Sequence, residues 1–182
     1  LYNKCVHYIG PKKEFVDKTD ANKGMVFDGR LAEDFKLNTG TWVSVGALRS
    51  QLIALGQGMI QDVVITGHDN EFVGAIVIPN LDYCKTIAVS GDSYTLKNLI
   101  NDPAVIHKLQ DVLNEMAEKS TGSSTLVKRA VFADFVLYLD KGEITDKGSI
   151  NQRMIIQNHP RTVAKLYTVK KSKGVIEIDN KS

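Results

Sequence analysis

Two segments of the chain place a cation in a glycine-containing turn, an arrangement that suits a phosphate-bearing ligand. In the first segment, residues 28–49, Arg30 follows an Asp-Gly dipeptide, which is a hairpin-type turn signal. In the second segment, residues 143–153, Lys147 lies in a turn just ahead of a predicted helix. Arginine can bind phosphate or vicinal hydroxyls in a bidentate manner, and lysine binds phosphate as a point charge. The two segments therefore indicate a module that presents both cations to such a ligand.

The lysine turn gains a second electrostatic aid if a helix begins beside it. Ser149 has the side chain of an N-cap, and the free N–H groups of a helix starting there would add to the charge of Lys147. The alternative is a solvated turn lysine, since most exposed charges have no specific partner. Arg30 has an alternative of the same kind, which is a surface ion pair with Glu33 or Asp34.

Other residues with chemical potential have ordinary structural explanations. Gly40 suits the tight turn of a hairpin, and Trp42, the only tryptophan, is predicted to lie in the core rather than to act as a stacking platform. His68-Asp69 could act as an acid–base pair, but a turn or capping role is favoured. The chain shows no Ser/His/Asp triad, paired-carboxylate spacing or phosphate-loop motif, so no complete active site is visible.

The composition is that of a globular protein with a buried core, and it argues against several function classes. The 182 residues are 43% hydrophobic and 24% charged, and a net charge of +2 is too small to indicate nucleic-acid binding. Cys5 and Cys84 lack zinc spacing, which predicts a reduced, cytoplasmic protein with no metal site. No segment approaches the roughly 20 apolar residues of a membrane span. The chain starts at Leu1 without a signal peptide, and we expect a fragment of a longer protein.

Apolar periodicity and turn residues predict an α+β fold. Strands 60–66 and 72–79 are rich in valine and isoleucine and are expected to be central, with both faces covered. Residues 1–24 are predicted to be irregular, and the basic tail after Tyr167 is predicted to fray. The expected architecture is a small, mostly antiparallel sheet plus a β-hairpin, flanked by helices. The other predicted elements are strand 25–27, two short strands around the turn at 38–40, helix 47–55, a helix from Asp102 to about Lys119, extended segment 126–139, and a helix from Ser149 to about Gln157.

These segments resemble the C-terminal end of the acyl-adenylate-forming (AMP-binding) enzymes, which include acyl-CoA synthetases, peptide-synthetase adenylation domains and luciferases. Residues 30–36 with Gly40 are similar to the hinge-and-hairpin motif of that superfamily, and residues 60–65 and 74–77 are similar to its central strand pair. The closer similarity is to feruloyl-CoA synthases and other aromatic-acid CoA ligases. This similarity covers residues 15 to about 167. It rests on four runs in the same order, which are EDFKLNTGTWVSVG, QDVVITGHD, TGSST and GEITDKGSINQR.

The resemblance implies a two-step reaction with ATP and CoA as substrates, and Mg²⁺ is expected in the complete enzyme. A small aromatic carboxylic acid first attacks the α-phosphate of ATP, which gives an acyl-adenylate and pyrophosphate. The CoA thiol then displaces AMP and forms a thioester. Between the two steps a small C-terminal α+β domain rotates on a hinge and presents a different face to the active site.

The resemblance also implies a role for individual residues. Lys147 would be the adenylation lysine, and Arg30 would contact the ribose hydroxyls of the nucleotide. Ala32 and Glu33 fall at the hinge. The hairpin residues that would face the pantetheine arm of CoA are Gly40, Thr41 and Trp42.

Three positions depart from the pattern of the superfamily. Ala32 stands at the hinge position where Asp or Lys is usual. Ser149 stands where the superfamily usually has its lysine, and Lys147 precedes the glycine of the motif instead. Upstream, Gly10-Pro11 stands where a Gly-Asp pair normally supplies a ribose-binding carboxylate.

The resemblance divides the chain into three parts. Residues 1–29 would be the end of a preceding large domain or a linker, residues 30–168 the mobile domain, and residues 169–182 a tail. The absent large domain, with its phosphate loop and acid pocket, would be the main partner, so the chain alone is expected to be inactive. No nucleic-acid or membrane partner is expected. The alternative is a free-standing, non-catalytic module that binds a nucleotide or a partner, which the unusual Pro11 and Ala32 favour.

Overall fold

A computed structural model describes residues 33–89 and 94–179 in full and the backbone of residues 11–15 and 25–30. These residues form eight strands and six helices. The strands are β1 (Pro11–Phe15), β2 (Met25–Arg30), β3 (Phe35–Lys36), β4 (Trp42–Val43), β5 (Ile60–Thr66), β6 (Val73–Pro79), β7 (Val127–Phe132) and β8 (Val175–Glu177). The helices are α1 (Val45–Leu55), α2 (Leu81–Ile87), α3 (Leu96–Leu99), α4 (Pro103–Lys119), α5 (Gln152–Asn158) and α6 (Pro160–Leu166).

The main sheet has four strands in the order β5-β6-β7-β8. β5 and β6 are antiparallel, β6 and β7 are parallel, and β7 and β8 are antiparallel. The parallel pair is possible because α4 lies between β6 and β7 in the chain and packs against β7. The prediction of a small, mostly antiparallel sheet flanked by helices is confirmed.

Both faces of the central strands are covered, as the apolar composition of β5 and β6 predicts. In β5, Val63 and Ile65 belong to one buried cluster and Val64 belongs to the other, because successive side chains alternate across a strand. Helices α1 and α4 supply the first cluster, for example with Leu52. Helices α5 and α6 supply the second, for example with Ile155. The protein is therefore layered as helix, sheet and helix.

Helix α4 begins where the Asp-Pro dipeptide predicts. Asp102 is its N-cap, with Oδ1 accepting hydrogen bonds from the N–H groups of Ala104 (2.9 Å) and Val105 (3.4 Å), and Pro103 occupies the first turn. Asp102 is only 1% exposed, and its Oδ2 accepts a bond from Val89 N (3.0 Å), which ties the preceding loop to the helix.

We expect Asp102→Ala to lower the free energy of unfolding by about 1–2 kcal/mol, because it removes the cap of a 17-residue helix that buries one face in the core. Asp102→Asn should lose less, since its amide oxygen can still accept the two capping bonds and the bond from Val89 N is lost. Denaturant unfolding followed by circular dichroism measures both variants. Equal losses for the two variants would show that the bond from Val89 N, and not the cap, is what the aspartate contributes.

Several predicted boundaries are wrong. Residues 1–24 are not irregular throughout, since residues 11–15 form β1, which pairs with β2. The Asp28-Gly29 dipeptide lies inside β2 rather than in a hairpin turn, and so Arg30 ends a strand. The extended segment 126–139 forms a strand only over β7, and its second half is a loop.

The C-terminal tail does not simply fray. Val175 and Ile176 are each 5% exposed and belong to opposite core clusters, which makes β8 an edge strand of the main sheet. Helices α2 and α3 are elements that the periodicity of the sequence missed. None of the helices within the described ranges is long and apolar enough to cross a membrane.

Candidate functional site

Lys147 lies at the tip of a small β-hairpin, which we call the lysine turn (residues 143–151). Gly148 N donates to Thr145 O at 2.9 Å, and Thr145 N donates to Ser149 O at 2.8 Å. Gly148 has a φ of +78°, the left-handed value that follows the turn in this type of hairpin and that glycine adopts without strain. The side chain of Lys147 is exposed, so the turn presents its ammonium group to solvent.

The predicted helix start at Ser149 is wrong. Helix α5 begins at Gln152, and its N-cap is Asn151, whose Oδ1 accepts a bond from Met154 N at 3.3 Å. Ser149 instead belongs to the second leg of the hairpin, which the Ile144–Ile150 bridge holds in register. Helix α5 therefore begins five residues after Lys147 and not directly at the turn.

The root of the lysine turn is a buried carboxylate cluster, which we call the Glu143 clamp. Glu143 is 0% exposed, and its Oε2 accepts a hydrogen bond from Tyr138 N at 3.0 Å. Its Oε1 accepts a bond from Asn158 Nδ2 at 2.9 Å and lies 2.8 Å from His159 Nε2. The ring of His159 stacks on Phe135 with a centroid separation of 3.4 Å.

The electrostatics of the clamp favour a charged Glu143. Burial acts to raise the pKa of this carboxyl, but hydrogen bonds from Asn158, Tyr138 N and His159 outweigh burial and lower the pKa below its ordinary value of 4.5. Sequence reasoning missed the clamp because its residues are ordinary polar types at separated positions. The one sequence signal is that Asn158 and His159 adjoin a proline that ends one helix and starts the next.

Acid should weaken the clamp. Because the folded pKa of Glu143 is depressed, its stabilising contribution is complete above the unfolded value of 4.5 and is lost as pH falls through the folded pKa. We expect the difference in free energy of unfolding between the wild type and Glu143→Gln to be constant above about pH 6 and to shrink below about pH 4.5. Urea titrations at a series of pH values measure this difference. A difference that grows on acidification would contradict the depressed pKa.

The second predicted working surface, the hairpin β3–β4, is confirmed as a hairpin. Gly40 N donates to Leu37 O, and Leu37 N donates to Thr41 O, both at 2.9 Å. Gly40 has a φ of +82°. Trp42 is 53% exposed, with Lys36 Nζ 5.8 Å from its ring centroid, so the prediction that Trp42 lies in the core is wrong.

The loop between β5 and β6 supports this hairpin through its backbone. Asn38 N donates to Asn70 O at 3.0 Å, and Asp69 N donates to Lys36 O at 3.2 Å. His68 Nδ1 lies 2.9 Å from Asp69 Oδ2, with both side chains more than 70% exposed. The turn role of the His68-Asp69 pair is therefore confirmed.

Helix α1 fixes the hairpin to the sheet from the other end. Asp34 Oδ1 accepts a bond from Val45 N at 2.9 Å at the start of α1. Further along that helix, Arg49 donates to both carboxylate oxygens of Asp62 on β5, at 2.6 and 2.7 Å. A bidentate pair of this kind restricts orientation as well as distance.

The predicted site residues that the structure describes fall on two elements, the hairpin β3–β4 and the lysine turn, which pack into different core clusters. The hairpin packs into the cluster under α1 and α4 through Phe35 and Val43, whereas the lysine turn packs into the cluster under α5 and α6 through Ile150. Glu33 is half-buried just before β3. The side chain of Arg30 and the whole of Ala32 lie outside the described residues. Among the residues that the structure describes, no group of three or more His, Cys, Asp or Glu is placed to hold a metal ion.

No family model matches the chain. Two curated proteins of Arabidopsis thaliana are similar to it: a chloroplastic long-chain-fatty-acid–[acyl-carrier-protein] ligase, 24% identical over 144 residues, and the probable chloroplastic acyl-activating enzyme 16, 24% identical over 143 residues. Each match covers 79% of this chain but only 18% and 19% of the two relatives. The chain thus spans about a fifth of the length of the relatives that it matches.

Solved structures of adenylation domains share the fold. The domain of a carboxylic acid reductase from Segniliparus rugosus, in complex with AMP and a co-purified carboxylic acid, matches with a TM-score of 0.56 and 17% identity. It aligns with 80% of this chain and 21% of that chain. The adenylation domain of a carboxylate reductase from Mycobacterium chelonae matches with a TM-score of 0.55, at 17% identity and the same coverage. The fold is therefore that of the C-terminal part of these adenylation domains, and the two similar curated proteins are named as an acyl-carrier-protein ligase and an acyl-activating enzyme.

Proposed function

We propose that the chain is the mobile C-terminal domain of an ATP-dependent, AMP-forming acid ligase. The shared fold, the acid-activating relatives and the order of the hairpin, sheet and lysine turn along the chain support this role. Because the chain spans only about a fifth of its relatives, the acid pocket and the phosphate-binding loop are assigned to a larger partner domain. ATP and its Mg²⁺ would be held mainly there.

The exposed lysine at the tip of a hydrogen-bonded hairpin carries this proposal. Carboxylate oxygen attacks the α-phosphorus of ATP, and pyrophosphate leaves with the bonding electrons. Negative charge is spread over the carboxylate and phosphate oxygens in the transition state, where the ammonium group of Lys147 stabilises it. A preorganised turn makes this stabilisation effective, because no reorganisation is needed as the reaction proceeds.

The hairpin β3–β4 is assigned to the second step. A thiol sulfur attacks the carbonyl carbon of the acyl-adenylate, its proton is lost to solvent or to a base, and AMP leaves. Gly40, Thr41 and Trp42 would line the path of the thiol arm, and Arg30 would bind the ribose of the nucleotide. A rotation about Ala32 and Glu33 would replace the lysine turn by the hairpin at the active site. The hairpin and the lysine turn pack into different core clusters, which is consistent with such a rotation.

CoA is the proposed thiol and a small aromatic acid, such as ferulate, is the proposed substrate, because four runs of the sequence resemble those of feruloyl-CoA synthases. A second acceptor deserves a test, because one similar protein is named as an acyl-carrier-protein ligase. The pantetheine arm is common to both acceptors, so the hairpin residues suit either one. The acceptor is decided by surfaces beyond that arm.

The decisive experiment uses the protein read from its complete coding sequence. We expect pyrophosphate exchange into ATP that depends on an aromatic acid and on Mg²⁺, followed by thioester formation with CoA. Thioester formation with holo-acyl carrier protein in place of CoA would change the acceptor and leave the ligase class intact. Absence of exchange with a broad panel of acids, together with nucleotide or partner binding, would establish the non-catalytic module instead. The 182-residue chain alone is expected to form no thioester.

A further inference from the structure

We propose that Glu143 is a positioning residue that fixes the lysine turn in its working orientation. The inference rests on the proposed function of Lys147 and extends it to a residue that does not itself contact substrate. It starts from the burial of Glu143, which is complete although a carboxylate is costly to remove from water. A buried carboxylate is tolerated only with several donors, and breaking such an arrangement leaves buried charge or unpaired donors.

The clamp joins three stretches of chain through one carboxylate. Glu143 Oε2 accepts a hydrogen bond from Tyr138 N in the loop after β7. Its Oε1 accepts a hydrogen bond from Asn158 Nδ2 at the end of α5. His159, which lies between α5 and α6, is 2.8 Å from the same Oε1. Asn158 Nδ2 also lies 3.4 Å from Lys141 O in the turn before Glu143. The carboxylate of Glu143, which belongs to the lysine turn, thus bonds both to the loop after β7 and to the α5–α6 junction.

A short path of backbone hydrogen bonds connects the clamp to Lys147. Asn151 N donates to Glu143 O at 2.8 Å, which closes the base of the hairpin, and Thr145 N donates to Ser149 O at 2.8 Å one step nearer the tip. These bonds and the Ile144–Ile150 bridge hold the two legs of the hairpin together above its base. Fixing Glu143 against the α5–α6 junction therefore fixes where the Lys147 tip points.

The clamp is buried, but the loop beside it lies at the surface. The neighbouring loop exposes Val136 and Leu139, each at 60%, and within the described residues it forms no strand. The helices α5 and α6 are held on the sheet independently, through Ile155 and Leu166, which are fully buried. Loss of the Glu143 carboxylate should accordingly loosen the lysine turn without releasing the sheet.

The test compares Glu143→Gln with the wild type in the complete enzyme. Glutamine keeps the size of the side chain but replaces one carboxylate oxygen with an NH₂ group. That group must then face the N–H donors of the clamp, with which it cannot form a hydrogen bond. We expect kcat for adenylate formation to fall by about 10- to 100-fold, because small misplacements of a catalytic group have costs of this order. The KM values for ATP and acid should stay within about threefold, and thioester formation from supplied acyl-adenylate should be unchanged.

A second measurement does not depend on activity. Hydrogen exchange of the amides at 144–150 should accelerate by about tenfold or more in Glu143→Gln, whereas exchange at 60–66 in β5 should be unchanged. Glu115→Gln is the control, since Glu115 forms an exposed helical pair with Lys119 at 2.6 Å. It should alter neither adenylation nor exchange at the lysine turn.

Each remaining outcome contradicts a specific step. Wild-type adenylation by Glu143→Gln, or unchanged exchange at 144–150, overturns the positioning role. Equal loss of both half-reactions, with faster exchange in β5, makes Glu143 a general stability residue and also overturns it. If Glu143→Gln does not fold, Asn158→Ala, which removes one donor and keeps the carboxylate, takes its place with the same expectations. If the wild-type enzyme shows no acid-dependent pyrophosphate exchange, the proposed function is overturned. Hydrogen exchange at 144–150 then still shows whether Glu143 holds the lysine turn.

Discussion

Replacing Lys147 with alanine is expected to lower the rate of acyl-adenylate formation by about 100-fold or more, because one preorganised charge at a transition state is worth that much. Thioester formation from supplied acyl-adenylate should stay near the wild-type rate, since the proposed domain rotation removes the lysine turn from the second step. Acid-dependent pyrophosphate exchange measures the first half-reaction. Single-turnover release of AMP from synthetic acyl-adenylate, with CoA present, measures the second.

The chain contains a matched control for this substitution. Lys173, like Lys147, is an exposed lysine in a turn and is followed by a glycine with positive φ, at +83° compared with +78°. It precedes β8 and has no assigned role in the reaction. Lys173→Ala should therefore change neither half-reaction. If Lys147→Ala impairs both half-reactions equally, Lys147 is not the adenylation lysine, and Ser149, where the superfamily usually has its lysine, marks the next surface to test.

The elements that local sequence could predict are those whose signals lie within a few residues. The apolar runs of β5 and β6 could be buried only in the middle of a sheet. Asp102 and Pro103 define the start of α4 by a capping oxygen and a fixed φ. Neither the burial of β5 and β6 nor the start of α4 depends on which distant residues are neighbours, and both predictions are confirmed.

Strand β8 was missed because its evidence is remote. It is three residues long and follows a lysine-rich turn, so its apolar content is diluted in any local window. Its partner strand β7 lies more than 40 residues earlier, where Arg129 reaches Glu177 at 3.2 Å and also donates to Thr168 O at 2.7 Å. Pairing across such a distance is decided by the whole fold and not by propensity.

The lysine turn shows the same limit within one site. Ser149 and Asn151 are both good N-caps by type, and local sequence alone cannot rank them. The Ile144–Ile150 bridge places Ser149 in a strand and leaves the cap to Asn151. The clamp below it depends on a carboxylate at Glu143 meeting Asn158 and His159, and that encounter exists only after α5 has packed on the sheet.

Replacing Gly40 with leucine should slow the second half-reaction and spare the first, which is the reverse of the effect expected for Lys147→Ala. Transfer to the acceptor thiol is expected to slow by about 10- to 100-fold, because a bulky side chain at the hairpin tip would displace the thiol arm from its path. Adenylate formation should be nearly unchanged. A Cβ at Gly40 would meet no described atom within 4 Å, so the cost to folding is confined to the φ of +82°, about 1–2 kcal/mol.

Gly174→Leu separates this effect from loss of stability. Gly174 has a φ of +83° and the same open space around its Cβ position, so both variants should lose the same free energy of unfolding. Only Gly40→Leu should slow transfer, which rapid-quench measurement of thioester formation from supplied acyl-adenylate can detect. Equal slowing by Gly174→Leu would trace the effect to the backbone strain that the two sites share. Equal slowing of adenylation by Gly40→Leu would place the hairpin in the first step, and the two surfaces of the domain would then not divide the reaction between them.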